Sequence, residues 1–340
     1  DQMRILENTY KGFVRNGALL DDEAKKEYSA LSEKLSLLTL KFQKNLLAAT
    51  NAWYLHLTEE AELEGLPQFV KDMGLATASE KNVEGWAFDL SYPSMSSFMK
   101  YSTRSDLKRQ MYLKYNSRAF GGEFDNSQIV RDIVSTRTRI AQILGYDTWA
   151  DYNTEDRMVG GVAGVRAFQK ALLEPSLPVA RKEVRDIFEY AKSKGYEGKE
   201  LAPWDFSYWS AQYKDAKYSL KDEDLKPYFQ LENCIDAVLG LATKLYGITF
   251  AERKDIPVYH PDVKVFEVKD EDGSFLALFY ADFFPRASKR GGAWMTEFRG
   301  TQIENGVEQR PFVTIVTNFS KPTAEDPSLI THDELTTFLH

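Results

Sequence analysis

Two stretches of this chain bring together side chains whose types and spacing could do chemistry. The first is Thr331 to His340, THDELTTFLH. Thr331 followed three residues later by Glu334 is a capping box, in which hydroxyl and carboxylate satisfy the first free backbone N–H groups of a helix. Leu335, Phe338 and Leu339 give that helix an apolar face, and His340 projects from it. In a His-Glu-x-x-His arrangement His340 would be the first ligand of a zinc ion, with the second imidazole one turn later on the same face. A histidine at a helix end is otherwise an ordinary surface residue, and these residues alone leave both readings open.

The second stretch is Asp282 to Met295, DFFPRASKRGGAWM, which joins a strand end, three cations, paired glycines and an aromatic. Arg286, Lys289 and Arg290 could hold a carboxylate, an arginine by two parallel hydrogen bonds. Gly291 and Gly292 would let another backbone come close. Tyr280, Asn318 and the neighbouring strand backbones could pair an extended substrate by strand addition. The plainer reading of the same residues is a surface turn with solvated charges and a core Trp294.

Other candidates carry less. His56, His260 and His332 have no second histidine or carboxylate at ligand spacing and read as structural. The single cysteine, Cys234, excludes an internal disulfide and a thiolate metal site, and its apolar neighbours suggest a buried thiol. Gly121-Gly122 and Gly160-Gly161 lack the lysine and the strand-to-helix setting of a phosphate loop. Nothing resembles a nucleophile elbow.

The elements that must position these residues are mostly helices. Apolar positions at Tyr28, Leu31, Leu35, Leu38, Phe42 and Leu46 predict one long helix within residues 22–57. Residues 105–120, 126–144, 162–194 and 231–246 carry the same periodicity, with Gly145, Gly195 and Gly247 placed as stops. Pro175 and Pro178 are expected to interrupt or kink the third of these. After Gly247 the period becomes two. Residues 258–268 and 274–283, joined through Asp270-Glu271-Asp272-Gly273, predict a hairpin. A third strand is expected at 311–318, then a proline-containing loop and the terminal helix.

With 340 residues, 43% of them hydrophobic, the chain can bury a substantial core. A net charge of −8 argues against a nucleic-acid partner. The longest apolar run, Phe275 to Phe284, is about half of the roughly 20 residues that a membrane helix needs, so no membrane partner is expected. The start, Asp1-Gln2-Met3-Arg4, has no signal-peptide character.

Taken together, the segments resemble the thimet oligopeptidase, oligopeptidase A and peptidyl-dipeptidase family of zinc metallopeptidases. The likeness rests on Leu6 to Gly17, Arg137 to Met158, Ala202 to Ala216 with its Pro203-Trp204-Asp205 core, and Asp255 to Val268. It is strongest from Phe279 through Met295 into Val316 to Pro322, ending at Thr331 to His340. The stretch ALFYADFFPRASKRGGAWM looks closest to the peptidyl-dipeptidase branch. The resemblance implies a predominantly α fold with a small β-sheet, an α+β, zincin-like architecture of the neurolysin type, incomplete here. Residues 1–247 would form a helical lobe lining a peptide channel, and residues 248–340 a small sheet plus the start of the zinc-motif helix.

The function so implied is hydrolysis of short peptides by zinc-activated water, with release of C-terminal dipeptides. Zinc would be held by His-Glu-x-x-His and a later Glu, of which only His340 is present. The catalytic Glu would follow His340, so no catalytic residue is expected within the chain. The chain is expected to be truncated at both ends, inactive alone, cytoplasmic with a periplasmic or exported location as the alternative, and to leave Phe338 and Leu339 exposed or covered by the missing C-terminal part or another chain. The alternatives from other classes are a metal-free peptide-binding module and a helical protein-interaction scaffold.

Overall fold

The computed structural model describes residues 2–219, 221–322 and 327–340. In chain order its first elements are α1 (Gln2–Arg15), α2 (Asp22–Asn51), β1 (Tyr54–Leu57), α3 (Gln68–Lys81), β2 (Trp86–Asp89), α4 (Tyr92–Tyr101) and α5 (Ser105–Asn116). There follow α6 (Ser127–Ile143), α7 (Trp149–Thr154), α8 (Val162–Ser193), α9 (Phe206–Tyr218), α10 (Asp222–Leu225) and α11 (Leu231–Tyr246). The last part holds β3 (Thr249–Glu252), β4 (Lys264–Lys269), β5 (Phe275–Asp282), β6 (Trp294–Arg299), β7 (Gln302–Glu304), β8 (Val307–Gln309), β9 (Phe312–Val316) and α12 (His332–Leu339). The chain is thus mainly helical with small sheets, as its periodicity predicts.

Two compact units form. The first comprises Asp1–Ala49 and Asn116–Tyr196. Within it, Asn126 at the start of α6 donates to Phe42 O and accepts from Asn45, so a buried amide ties α6 to α2. Arg139 and Glu27 add a bidentate pair between the same helices, at 2.6 and 2.8 Å. α8 runs unbroken through Pro175 and Pro178, against the expected interruption. The missing proline N–H groups free the carbonyls of Ala171 and Glu174, and that part of α8 is exposed, so water can take their place.

The second unit comprises Thr50–Tyr115 and Glu197–His340. One core packs the β1–β2 pair against α3, α4 and α5 around Phe88 and Phe98, whose rings lie 4.9 Å apart. Gly74 on α3 makes room for this, since a Cβ there would stand 2.7 Å from the Phe88 ring. Lys108 on α5 is buried with Asp205, which precedes α9, at 2.9 Å. Ser105 donates to the other carboxylate oxygen at 2.8 Å and accepts from the Trp204 indole at 3.1 Å.

The other core of this unit is built on a five-stranded sheet of order β3-β4-β5-β9-β6. The predicted hairpin is β4–β5, closed where Asp270 N donates to Ser274 O and Gly273 N to Asp270 O. The predicted third strand is β9, and it runs parallel to β5. β9 enters between β5 and β6, and β6 is left as an antiparallel edge. One face of the sheet, with Phe266, Ala281 and Phe283, packs on α11 and α12 through Leu231, Ile235 and Phe338. The opposite face carries Val265, Leu278 and Tyr280 beneath Ile256 and Val263. Cys234 is buried against the first face, and burial raises its thiol pKa.

Five strands escape the sequence reading, the first being β1, which falls at the end of the stretch read as one long helix, residues 22–57, whereas α2 stops at Asn51. β3 is only four residues long. β6 is an exposed edge, so its pattern lacks an apolar face. The β7–β8 hairpin turns on Asn305-Gly306, with φ of +51° and +78°, a dipeptide suited to a tight hairpin turn. The expected loop after β9 lies partly outside the described residues.

Candidate functional site

The chain's chemistry-bearing residues meet where β5 and β9 end. β5 is apolar up to Ala281 and then delivers a carboxylate, Asp282, into the interior, where it is 1% exposed. A buried charge at that position needs compensation. Arg286 supplies it with a bidentate contact, Nη1 to Oδ1 at 2.8 Å and Nη2 to Oδ2 at 2.9 Å. Lys289, itself buried, donates to Asp282 Oδ1 and Asp282 O at 2.9 Å and to Phe284 O at 2.8 Å. The Tyr259 hydroxyl donates to Oδ2 at 3.0 Å. Burial pushes the Asp282 carboxyl up, but the hydrogen bonds from Arg286 and Lys289 outweigh it and hold it below the usual carboxylate range. Burial lowers the Lys289 ammonium pKa, with Asp282 opposing.

The rest of the loop is held from elsewhere in the same unit. Beyond β9, Thr317 N donates to Asp282 O at 2.8 Å and Phe319 N to Phe283 O at 2.8 Å, so the parallel pairing continues past the strand ends. Between them Asn318 turns its amide to the loop, donating to Arg290 O at 3.1 Å and to Gly292 O at 2.7 Å. Asn51 donates to Ala287 O at 2.8 Å. Gly292 has φ of +99°, a backbone region that suits glycine, and a Cβ there would meet nothing within 4 Å.

The structure therefore sorts the residues singled out in the sequence. Arg286 and Lys289 turn inward to Asp282. Arg290, Gly291 and Gly292 are exposed, and the Arg290 guanidinium lies 4.4 Å from the centroid of the half-buried Trp294 ring. Tyr280 sits inside the sheet between Val265 and Thr314, packed edge-on against Phe298 with centroids 5.4 Å apart. His56, His260 and His332 stay bland: His56 Nε2 meets Glu84 O at 2.7 Å, and His260 Nδ1 accepts from Asp262 N at 3.3 Å.

The capping box of α12 forms as its sequence predicts. Thr331 Oγ1 accepts from Glu334 N at 3.1 Å and Glu334 Oε2 accepts from Thr331 N at 2.7 Å. Glu334 Oε1 also accepts from Ser320 N at 2.8 Å, so the helix start is tied to the segment leaving β9. Phe338 packs on Phe283 and Phe319, with centroids 5.3 and 6.3 Å away. Leu339 stays 53% exposed. His340 follows, exposed, its N–H donating to Thr336 O at 3.0 Å.

Asp282 had no role in the sequence reading, although the signal was present. An acid ending an apolar strand, followed four and seven residues later by Arg286 and Lys289, is a buried charge with its counter-ions in reach. A zinc ion fits the donor set only in part. Among the described residues no group of three or more His, Cys, Asp or Glu side chains could hold a metal ion, and His340 is a single imidazole. Catalytic zinc needs about three protein ligands, so these residues do not make that site by themselves. No helix among the described residues is long and apolar enough to cross a membrane.

Comparison with known proteins bears on the whole chain. The model of Peptidase family M3 matches residues 98–340. The chain is 34% identical to oligopeptidase A of Escherichia coli over 345 aligned residues, which cover 100% of the chain and 51% of the relative. It is 32% identical to the probable cytosolic oligopeptidase A of Arabidopsis thaliana and 32% identical to the dipeptidyl carboxypeptidase of Salmonella typhimurium, covering 100% of the chain and 50% of each relative. The chain spans about half the length of the curated relatives it matches.

Proposed function

The chain belongs to Peptidase family M3, and from that premise we propose that the protein hydrolyses short peptides as a zinc metallopeptidase, with His340 as one metal ligand. The observation that carries this reading is the seating of α12. Its start is capped and bonded to Ser320, and its last turn rests on Phe283 and Phe319. His340 is thereby held on a helix anchored at the end of β5 and β9 from which the Arg286–Gly292 loop also leaves. His340 alone does not complete a metal site, and among the described residues no group of three or more His, Cys, Asp or Glu side chains joins it.

The substrate is an extended short peptide, added as a strand to the free edge of β6. The cut releases C-terminal dipeptides, a mode that the likeness to a dipeptidyl carboxypeptidase supports and the likeness to oligopeptidases A leaves to measurement. A cytoplasmic location belongs to the same reading, by analogy with the relative named as probably cytosolic.

The test is digestion of a set of five- to ten-residue peptides by the purified full-length protein, with products identified by mass. Hydrolysis that a chelator abolishes, zinc restores and His340→Ala removes is expected. Hydrolysis indifferent to chelation, or none at all, overturns the reading, and products other than dipeptides overturn the finer part of it.

A further inference from the structure

The structure separates the three cations of the loop by what their donors already hold. Arg286 and Lys289 are committed to Asp282 and Phe284. Arg290 is exposed and meets no carboxylate among the described residues. It is nevertheless not a loose surface side chain. Its guanidinium is stacked over Trp294 and its carbonyl is clamped by Asn318, so its charge is held beside the first residue of β6.

β6 pairs with β9 on one side only, and its other edge has no strand partner among the described residues. A β-bulge between Glu297 and Arg299 interrupts the ladder with β9, so the regular part of the outer edge is Trp294 to Glu297, where alternate residues turn their N–H and C=O groups away from β9. Charge is uneven along that edge. Arg290 stands at the Trp294 end; at the other end Glu297 and Glu304 are exposed, Arg299 follows the bulge, and Glu308 is paired with Arg310 at 3.2 Å.

A free peptide has the matching polarity, an ammonium at its start and a carboxylate at its end. Laid antiparallel to β6 it sets the carboxylate near Arg290 and the ammonium toward Glu297. Laid parallel it brings its ammonium to Arg290 instead. Resting on the peptide-binding reading above, we propose that Arg290, held by Trp294 and Asn318, reads a carboxylate at the C-terminal end of a short peptide running antiparallel along β6, and so selects which peptides bind and in which direction. That carboxylate is the chain terminus or the side chain of a final acidic residue.

The test is calorimetric titration of the full-length protein, kept in chelator so that nothing is cut, with three forms of one hexapeptide: the free acid, the C-terminal amide, and an amide whose last residue is Asp. Wild type should bind the acid about fivefold more tightly than the plain amide, the size expected of a well-placed but exposed charge pair. Arg290→Gln should bind both alike, and Arg290→Lys should keep part of the preference. An Asp amide that binds like the plain amide assigns the carboxylate to the chain terminus, and one that binds like the acid assigns it to a side chain; both outcomes retain Arg290 as the reader. Equal binding of acid and amide by wild type, a preference that Arg290→Gln leaves unchanged, or no binding of any form overturns the proposal. Hydrolysis without the preference leaves the peptidase reading standing, whereas the preference without hydrolysis leaves only the Arg290 assignment.

Discussion

The ammonium of Lys289 spends two of its three hydrogens on Asp282, one on the backbone carbonyl and one on Oδ1, each at 2.9 Å, and its third on Phe284 O. No donor remains for a ligand. The lysine is part of how the loop is built, and the same holds for Arg286 on the other side of the carboxylate. Asp282→Ala leaves two inward-turned cations without a counter-charge, one of them buried. Removing one partner of such a group costs about 3 kcal/mol or more. Urea unfolding of the variant should show a loss of that order. A loss below about 1 kcal/mol would mean that the loop relaxes into water and that Asp282 does not hold it.

The same carboxylate sets a pH dependence. Burial alone would raise its pKa, yet the hydrogen bonds from Arg286 and Lys289 leave it depressed in the folded chain. A depressed folded pKa means that the unfolded chain binds the proton first. The stabilisation is therefore complete above the unfolded value of about 4 and is lost as pH falls through the lower folded value. The urea midpoint of wild type should drop more steeply between about pH 4 and pH 2 than that of Asp282→Asn, which has no carboxylate to protonate. Parallel curves would assign the acid sensitivity to other groups.

Lys108 and Asp205 form a second buried pair, at 2.9 Å, between α5 and the residue preceding α9. Burial lowers the lysine pKa and the aspartate opposes it. Lys108→Met leaves the buried Asp205 without its ion-pair partner and, among the described residues, with the Ser105 hydroxyl as its side-chain donor, at a cost of about 3 kcal/mol. Adding Asp205→Leu should recover part of that loss, because two apolar groups need no compensation. If the double variant is less stable than Lys108→Met by the full cost of a second single change, the two residues are not coupled.

How far the fold and site could be read from sequence depends on which signals are local. The helices, the β4–β5 hairpin and the α12 capping box were legible because each depends on residues within one or two turns of chain: the period-two run closed at Gly273, and Thr331 with Glu334. The parallel insertion of β9 between β5 and β6 was not, since strand order is decided by long-range packing. In the loop, the sequence named Arg286, Lys289 and Arg290 as equivalent cations. Only geometry separates them, by placing Asp282 inside and Trp294 at the rim. The continuity of α8 through Pro175 and Pro178 was misjudged because the cost of a missing N–H depends on whether water reaches the freed carbonyl.

Gly85 joins the β1–β2 pair to what precedes it in a conformation with φ of +80°, and a Cβ there would lie 2.4 Å from Leu57 O. Both the dihedral and the contact oppose a side chain, and the obstacle is backbone that cannot turn aside. Gly85→Ala should cost about 2 kcal/mol or more. Thermal unfolding checks it, with Gly291→Ala as the control, since a Cβ at Gly291 would meet nothing within 4 Å. Equal shifts for the two would show that β1–β2 yields at that turn.

Glu334 does two jobs at the start of α12, and they can be separated. Oε2 closes the capping box on Thr331 N at 2.7 Å, while Oε1 accepts from Ser320 N at 2.8 Å and ties the helix to the segment leaving β9. Thr331→Ala removes the reciprocal bond to Glu334 N but leaves both carboxylate contacts, and should cost about 1 kcal/mol, the usual value of an N-cap. Glu334→Ala removes the carboxylate half of the capping box and the tether together, keeping the Thr331 bond to the backbone N–H of residue 334, and should cost about twice as much; Glu334→Gln, with one acceptor oxygen, falls between. Hydrogen exchange gives the local readout. Amides of α12 should lose protection in the order Thr331→Ala, Glu334→Gln, Glu334→Ala, while the amides of β5 and β9 stay protected. Loss of protection in the strands as well would mean that the Ser320 contact supports the sheet itself. Equal effects of Thr331→Ala and Glu334→Ala would mean that the contact carries no weight, and that Phe338 on Phe283 and Phe319 is enough to hold the helix that ends in His340.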